Sequence, residues 1–305
     1  MNRRHPLTRA AAPSVVLLLA ACAGPPPATV AIAPPAPPIT IAPLTIARTA
    51  DGGHRLETSL TAAADAPVPT AAHWRHNGAS SSNGAVALVL PAKLGRDVTV
   101  HEGENVYTLE VDLPNGEPLA VRHRVWGQQQ IAVPPTIDGD LADWNDPPAL
   151  WLWPSKYQVM PESRRLARDE SSAMLYAVWH ADTLFFAADV IDQTPREDGD
   201  GLLLMMRFPN GGGGVLTLLP GTESGPAGVL IKTTTESNGE PMPGAEAAAV
   251  ATEAGWRLEA RIPIAGTGHT PKVGDVVQMS VALGNSRLPG GDASEALLLW
   301  PEGAA

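Results

Sequence analysis

Cysteine is almost absent: Cys22 is the only one in 305 residues. An internal disulfide is therefore excluded, and so are cysteine-rich metal centres and two-cysteine redox motifs. Cations are also scarce. Twenty-one Lys and Arg stand against 32 Asp and Glu, for a formal net charge of −11. A surface that acidic is a poor partner for nucleic acid, and it disfavours direct adsorption on anionic lipid. Long helical periodicity is missing as well. The best helix candidate, residues 244–254, is rich in alanine but has no apolar stripe. Catalytic signatures are lacking: there is no nucleophile elbow, no histidine pair of zincin spacing and no Ser/His/Asp set. The glycines at 211–214 have no Lys-Ser/Thr partner and no following helix, which excludes a phosphate loop and reads instead as a hairpin tip. What remains is a chain of short alternating runs punctuated by 31 prolines and 29 glycines, the pattern of an all-β, non-enzymatic protein.

Arg3, Arg4 and Arg9 precede a small apolar run, VVLLL at 15–19, too short to span a bilayer as a mature helix. The run ends in Leu19-Ala20-Ala21-Cys22, which resembles the bacterial lipobox. The resemblance implies a signal peptide over 1–21, acylation of Cys22 and anchoring in the lipid bilayer of the cell envelope. Ala23 in place of an aspartate resembles Gram-negative lipoproteins sent to the outer membrane. Removing three arginines with the leader takes the net charge from −11 to −14. Residues 22–43, dominated by Pro, Ala, Thr and Ile, read as an extended tether, a semi-rigid stalk of roughly 60 Å at most.

Residues 44–127 read as a first β domain. The run NVYTLEVDL at 105–113 alternates, and Asn115-Gly116 then supplies a hairpin turn because both residues tolerate positive φ. Glu102-Gly103-Glu104-Asn105 followed by this hairpin resembles the end of bacterial immunoglobulin-like domains, which implies a spacer or interaction platform. His73 and His76 have no carboxylate or third histidine near them in sequence, so a surface loop or strand is the expectation there rather than a metal site. A short linker at 128–135 predicts that the two domains sit close together.

Residues 131–305 read as the second domain, organised around 173–208. In its second strand Leu184, Phe186, Ala188 and Val190 share one face, and Phe185, Ala187 and Ile191 the other, as in a strand buried on both sides. The four residues 180–183 form a short polar hairpin. Loop 192–201 then gathers Asp192, Glu197, Asp198 and Asp200 against Arg196. Carboxylates so crowded either sit as a solvated acidic turn or hold a hard cation, with Asp192, Asp198 and Asp200 as candidate calcium ligands.

The string IDGDLADW at 137–144 resembles the opening of carbohydrate-binding module family 9 and its DOMON-like relatives. Four further matches follow in order, at 178–192, 200–206, 255–264 and 274–285. The resemblance implies a larger antiparallel β-sandwich, sugar binding, and calcium as a structural ion. It also implies that Trp144, Trp179 and Trp256 belong to the core. The family clamps its sugar between two tryptophans, yet loops 192–201 and 285–296 contain no aromatic residue here. A substitute is available in Trp151, Trp153 and Tyr157, the first two on one side of an extended segment. The alternative is an early strand with both indoles in the core, the commoner fate of large aromatics. Arg196, Asn285 and Arg287 complete the candidate sugar-binding set. Two functions follow: a glycan-binding envelope lipoprotein, or an envelope scaffold that has lost its sugar and binds a protein. A haem-binding DOMON-type domain is a third, with Met174, Met205, Met206 and His180 as possible axial ligands.

Overall fold

The computed structural model describes residues 39–63, 69, 71–80, 88, 90–114, 116, 118–144, 147–160, 165–193, 200–208, 212–221, 226–232, 239–264, 269–270, 272–285 and 296–301. Cys22, Arg196, Asp198 and Arg287 lie outside these residues, as do the leader and most of the tether. The described chain is predominantly β-strand, as its alternating runs require. Among the described residues no helix is long and apolar enough to cross a membrane.

The first sandwich is built from β1 (Ile39–Ile41), β2 (Thr45–Arg48), β3 (His54–Ala62), β4 (Ala71–His76), β5 (Ala79–Ser80), β6 (Ala92–Val98), β7 (Gly103–Asp112) and β8 (Leu119–Gly127). One sheet pairs β3 with β1, β2 and β6; the other runs β5-β4-β7-β8. Alternation in β3 and β7 sends Leu56, Leu60, Tyr107, Leu109 and Val111 into the core between the sheets, where they meet Trp74. The β7–β8 turn closes with the Gly116 amide donating to the Leu113 carbonyl, Gly116 at φ 89°. The Tyr107 hydroxyl donates to the Thr99 carbonyl at 2.7 Å, and burial pushes its pKa up to about 12. His73 and His76 stand on opposite faces of β4. His73 meets Asp112 at 2.7 Å, whereas His76 stacks on Tyr107 at 4.6 Å.

The second sandwich continues with β9 (Gln129–Gln130), a 3-10 turn at Leu141–Trp144, β10 (Leu150–Leu152), one helical turn α1 (Pro154–Tyr157), β11 (Gln158–Met160), β12 (Ser171–His180), β13 (Thr183–Asp192), β14 (Gly201–Arg207), β15 (Gly213–Leu219), β16 (Gly228–Lys232), β17 (Glu240–Pro241), β18 (Glu246–Ala251), β19 (Gly255–Pro263), β20 (Gln278–Asn285) and β21 (Ala296–Trp300). A six-stranded sheet runs β10-β12-β13-β19-β18 with β9 beside β12. It faces a seven-stranded sheet, β11-β21-β20-β14-β15-β16-β17. Strand β9 comes from the linker and pairs in parallel with Val178 and Trp179. The alanine-rich stretch is the edge strand β18, with Ala247 and Ala249 packed on the core.

Strand β13 is buried on both faces, as its composition demands. Leu184, Phe186, Ala188 and Val190 fill the space between the sheets with Trp256, Leu258, Ala260 and Ile262 of β19. Phe185 and Ala187 point outward and are covered by Trp144 and the segment that carries it. Glu259, itself fully buried, holds that cover down. Its Oε2 accepts the Asp138 and Gly139 amides, and its Oε1 accepts the Trp144 indole N–H at 2.7 Å. Gly139 sits at φ 89° where a Cβ would come 2.7 Å from Val250 Cγ1, so the Asp138-Gly139 turn admits no side chain there. Trp144 and Trp256 are core, as expected. Trp179 is only half-buried: it stands near the β12 end that meets the first sandwich, rather than between the sheets.

The β12–β13 hairpin has a two-residue turn, with Ala181 at φ 54°. That conformation strains a side chain-bearing residue. Ala181→Gly is expected to stabilise the fold by about 0.5–1 kcal/mol in urea denaturation, the relieved strain exceeding the added unfolded-state entropy.

Residues 37–305 form one compact unit, and one carboxylate ties its two sandwiches together. Glu104 of β7 accepts from Arg124 of β8 at 2.9 Å, and from Lys156 at 3.2 Å and Tyr157 at 3.0 Å in α1. The Trp300 indole N–H donates to it at 3.0 Å. Partial burial pushes its carboxyl up, but the Trp300, Lys156 and Tyr157 contacts outweigh this and hold it below its ordinary value. Trp126, the penultimate residue of β8, lies edge-on to Trp300 at 6.2 Å and to Phe186 at 6.4 Å, inside the core of the second sandwich.

Candidate functional site

Strand β10 alternates sharply: Leu150 and Leu152 are buried inward, while Trp151 is 37% exposed on the outer face. Register then sets its neighbours. Trp151 is opposite Met174, which is opposite Asp189, then Arg257, then Val250. These five positions form one row across the outer face of the six-stranded sheet. Asp189 faces the Arg257 guanidinium at 3.5 Å, and Tyr176 in the next row donates to Met174 Sδ at 3.8 Å. Trp153, half-buried and packed against the core as the alternative reading expects, lies beside Trp151, ring centroids 5.9 Å apart and tilted by 43°. The exposed Arg168 stands over both, its Cζ 4.4 Å from the Trp151 centroid and 5.5 Å from that of Trp153. Its backbone carbonyl accepts the Ser172 hydroxyl at 2.8 Å, which fixes the approach.

This arrangement can present an apolar indole face bordered by a guanidinium and, along the same row, by an Asp–Arg pair. Such a surface suits a ring with one apolar face and a polar rim. Arg168 and the Asp189–Arg257 pair were beyond sequence reasoning. The only available signal was a polar residue at Asp189 in the otherwise apolar run of β13.

The other candidate residues separate from this patch. Tyr157 is 2% exposed, with its hydroxyl on Glu104; it belongs to the junction between the sandwiches and not beside Trp151. Asn285 is buried and donates from Nδ2 to Asp192 Oδ1 at 2.8 Å, a bond linking the end of β20 to the end of β13. Asp200 is also buried, and it enters β14 next to the Gly201–Gly284 pair. The fold thus gathers Asp192, Asp200 and Asn285 at one end of the sandwich, and Asp198 lies outside the described residues. Two buried carboxylates are hard oxygen donors of the kind calcium takes. Among the described residues, however, no three His, Cys, Asp or Glu side chains converge as a metal cluster. Of the candidate haem ligands, Met206 is in the core, Met205 lines the cleft between the sandwiches, and Met174 is in the Trp151 row. His180 Nδ1 lies 3.0 Å from the Ile131 carbonyl. The chain matches no protein-family model, and no curated protein matches it.

Proposed function

We propose that this protein is a non-catalytic, lipid-anchored envelope protein that binds carbohydrate on the outer face of its second sandwich, at Trp151, Trp153 and Arg168. The observation that carries this reading is the 37% exposure of Trp151 on an otherwise well-buried strand, with a cation held over it. An indole left in water beside a guanidinium loses hydrophobic stabilisation unless a ligand covers it. The polar rim of Arg168, Asp189 and Arg257 then bonds hydroxyls while the indole takes the ring face. The first sandwich acts as an immunoglobulin-like spacer on the tether, a reading supported by its two-sheet pairing and by the tyrosine hydroxyl reaching back to Thr99. The second sandwich is family-9-like in plan, with its sugar platform moved from loop tips to a sheet face. Asp192, Asp198 and Asp200 would hold a structural calcium, and Cys22 would carry the acyl anchor.

The test is a glycan array probed with the full chain, with calcium and with chelator, beside Trp151→Ala. Specific binding that weakens about tenfold in the variant, the loss of one stacked aromatic face, is the expected result. Chelation is expected to lower the melting temperature. A blank array in both conditions would turn the reading to an envelope scaffold with a protein partner. Cys22→Ser is expected to move the protein from the membrane fraction to the soluble one on fractionation.

A further inference from the structure

A cleft of about 1210 Å³ opens between the two sandwiches, and no residue of the Trp151 row lines it. It is larger than most small-molecule sites, which run roughly 300–1,000 Å³. Both cores reach its walls. Ile46 and Val125 come from the first sandwich, Met206, Val277 and Met279 from the second, and Trp179 stands half-buried between them. Val273, 64% exposed, projects on the same lining.

The charge on this lining opposes that of the whole chain. Among the described lining residues there are four cations, Arg122, Arg124, Arg207 and Lys272, and one carboxylate, Asp275. Arg124 is engaged by Glu104. Asp275 is faced by Arg48 at 3.6 Å and by His269 at 3.2 Å, so it contributes little net negative field. Arg122, Arg207 and Lys272 are exposed. In a chain of net charge −11, an apolar trough bordered by exposed cations focuses a positive potential.

We infer that this cleft binds a long-chain anionic amphiphile, its acyl chain along the Trp179–Met206–Met279 wall and its carboxylate at the Arg207 and Lys272 border. Apolar area supplies the larger share of affinity, because each buried methylene contributes about 0.8 kcal/mol, and the cations select the charged headgroup. A neutral sugar has no use for this wall. The site is therefore separate from the Trp151 platform and stands or falls independently of it.

The experiment is displacement of a dansyl-labelled undecanoate from the full chain by palmitate, with hexadecanol as the uncharged control. Saturable binding of one equivalent is expected, with palmitate displacing the probe at lower concentration than hexadecanol. The double variant Arg207→Ser/Lys272→Ser should bind palmitate about tenfold more weakly, two exposed charge contacts being lost. Val273→Asp should weaken it similarly by placing a carboxylate on the lining. All three positions are solvent-exposed, so unchanged melting curves are expected and guard against misfolding. Trp151→Ala should leave displacement unchanged. Absence of saturable binding would overturn the inference, as would palmitate binding indifferent to all three cleft substitutions or equal displacement by hexadecanol.

Discussion

Glu104→Ala is expected to destabilise the protein by about 3 kcal/mol in urea denaturation, although the residue is in neither sheet core. The side chain is the shared acceptor for the Trp300 indole, the Tyr157 hydroxyl, the Lys156 ammonium and the Arg124 guanidinium. With the carboxylate gone, two neutral donors and two cations face each other in a partly dry junction. The loss should be larger than for an ordinary surface ion pair, because the Arg124 side chain is only 8% exposed and that of Glu104 only 23%. The transition itself should also change. Trp126 and Trp300 pack edge to face beside the carboxylate, so the two sandwiches are coupled through it. In the variant, tryptophan fluorescence and far-UV circular dichroism should no longer give coincident transitions, because the sandwiches begin to unfold separately. Glu104→Gln should fall between the two proteins, keeping one acceptor but not the charge.

The separation between the residues involved explains why this junction was not legible in the sequence. Glu104 and Trp300 stand 196 positions apart, and no local pattern links them. Strands were legible where burial imposes a period of two. The two faces of β13 and the inward residues of β19 follow directly from alternation, because a one-residue slip would turn every side chain over. The same rule put Trp151 and Trp153 on one side. It could not say whether that side was the core or solvent, because flanking Leu150 and Leu152 suit either choice until the facing sheet is known. Proximity in sequence groups Tyr157 with the tryptophans. A single helical turn opening at Pro154 breaks the alternation and swings Tyr157 towards Glu104 instead. The alanine-rich β18 shows the opposite ambiguity. Alanine favours helix in isolation, yet small side chains at an edge let β18 lie flat over the core beside β19. Trp179 matched a framework motif, but its half-exposure depends on the cleft formed with the first sandwich.

Glu259→Ala is expected to cost a similar amount, about 3 kcal/mol, for a different physical reason, and pH separates the two cases. Glu259 is fully buried and is met by neutral donors, two backbone amides and the Trp144 indole. Burial pushes its carboxyl above the ordinary value; the Trp144 and backbone bonds oppose this without cancelling it, and the charge of Asp138 pushes it further up. Glu104 has cations beside it and is shifted down. A raised carboxyl means that the folded protein holds its proton more tightly than the unfolded chain. The stabilisation it contributes is therefore complete below the unfolded-state value and is lost as pH rises through the folded one. For Glu104 the sign reverses: its contribution is present above the unfolded-state value and is lost as pH falls through the folded one. The difference in stability between wild type and Glu259→Gln should thus narrow from about pH 4 to pH 7, and that between wild type and Glu104→Gln should widen over the same interval. Parallel slopes would mean that neither environment is as described. In Glu259→Ala the three donors lose their acceptor and Trp144 loosens over Phe185 and Ala187. Near-UV circular dichroism should register that loss of indole packing. The cover lies over Phe185 and Ala187, whereas Trp151 stands exposed outside it. Glycan binding at Trp151 should therefore fall far less than stability does, so this variant separates the clasp that maintains the sheet from the surface that the sheet presents.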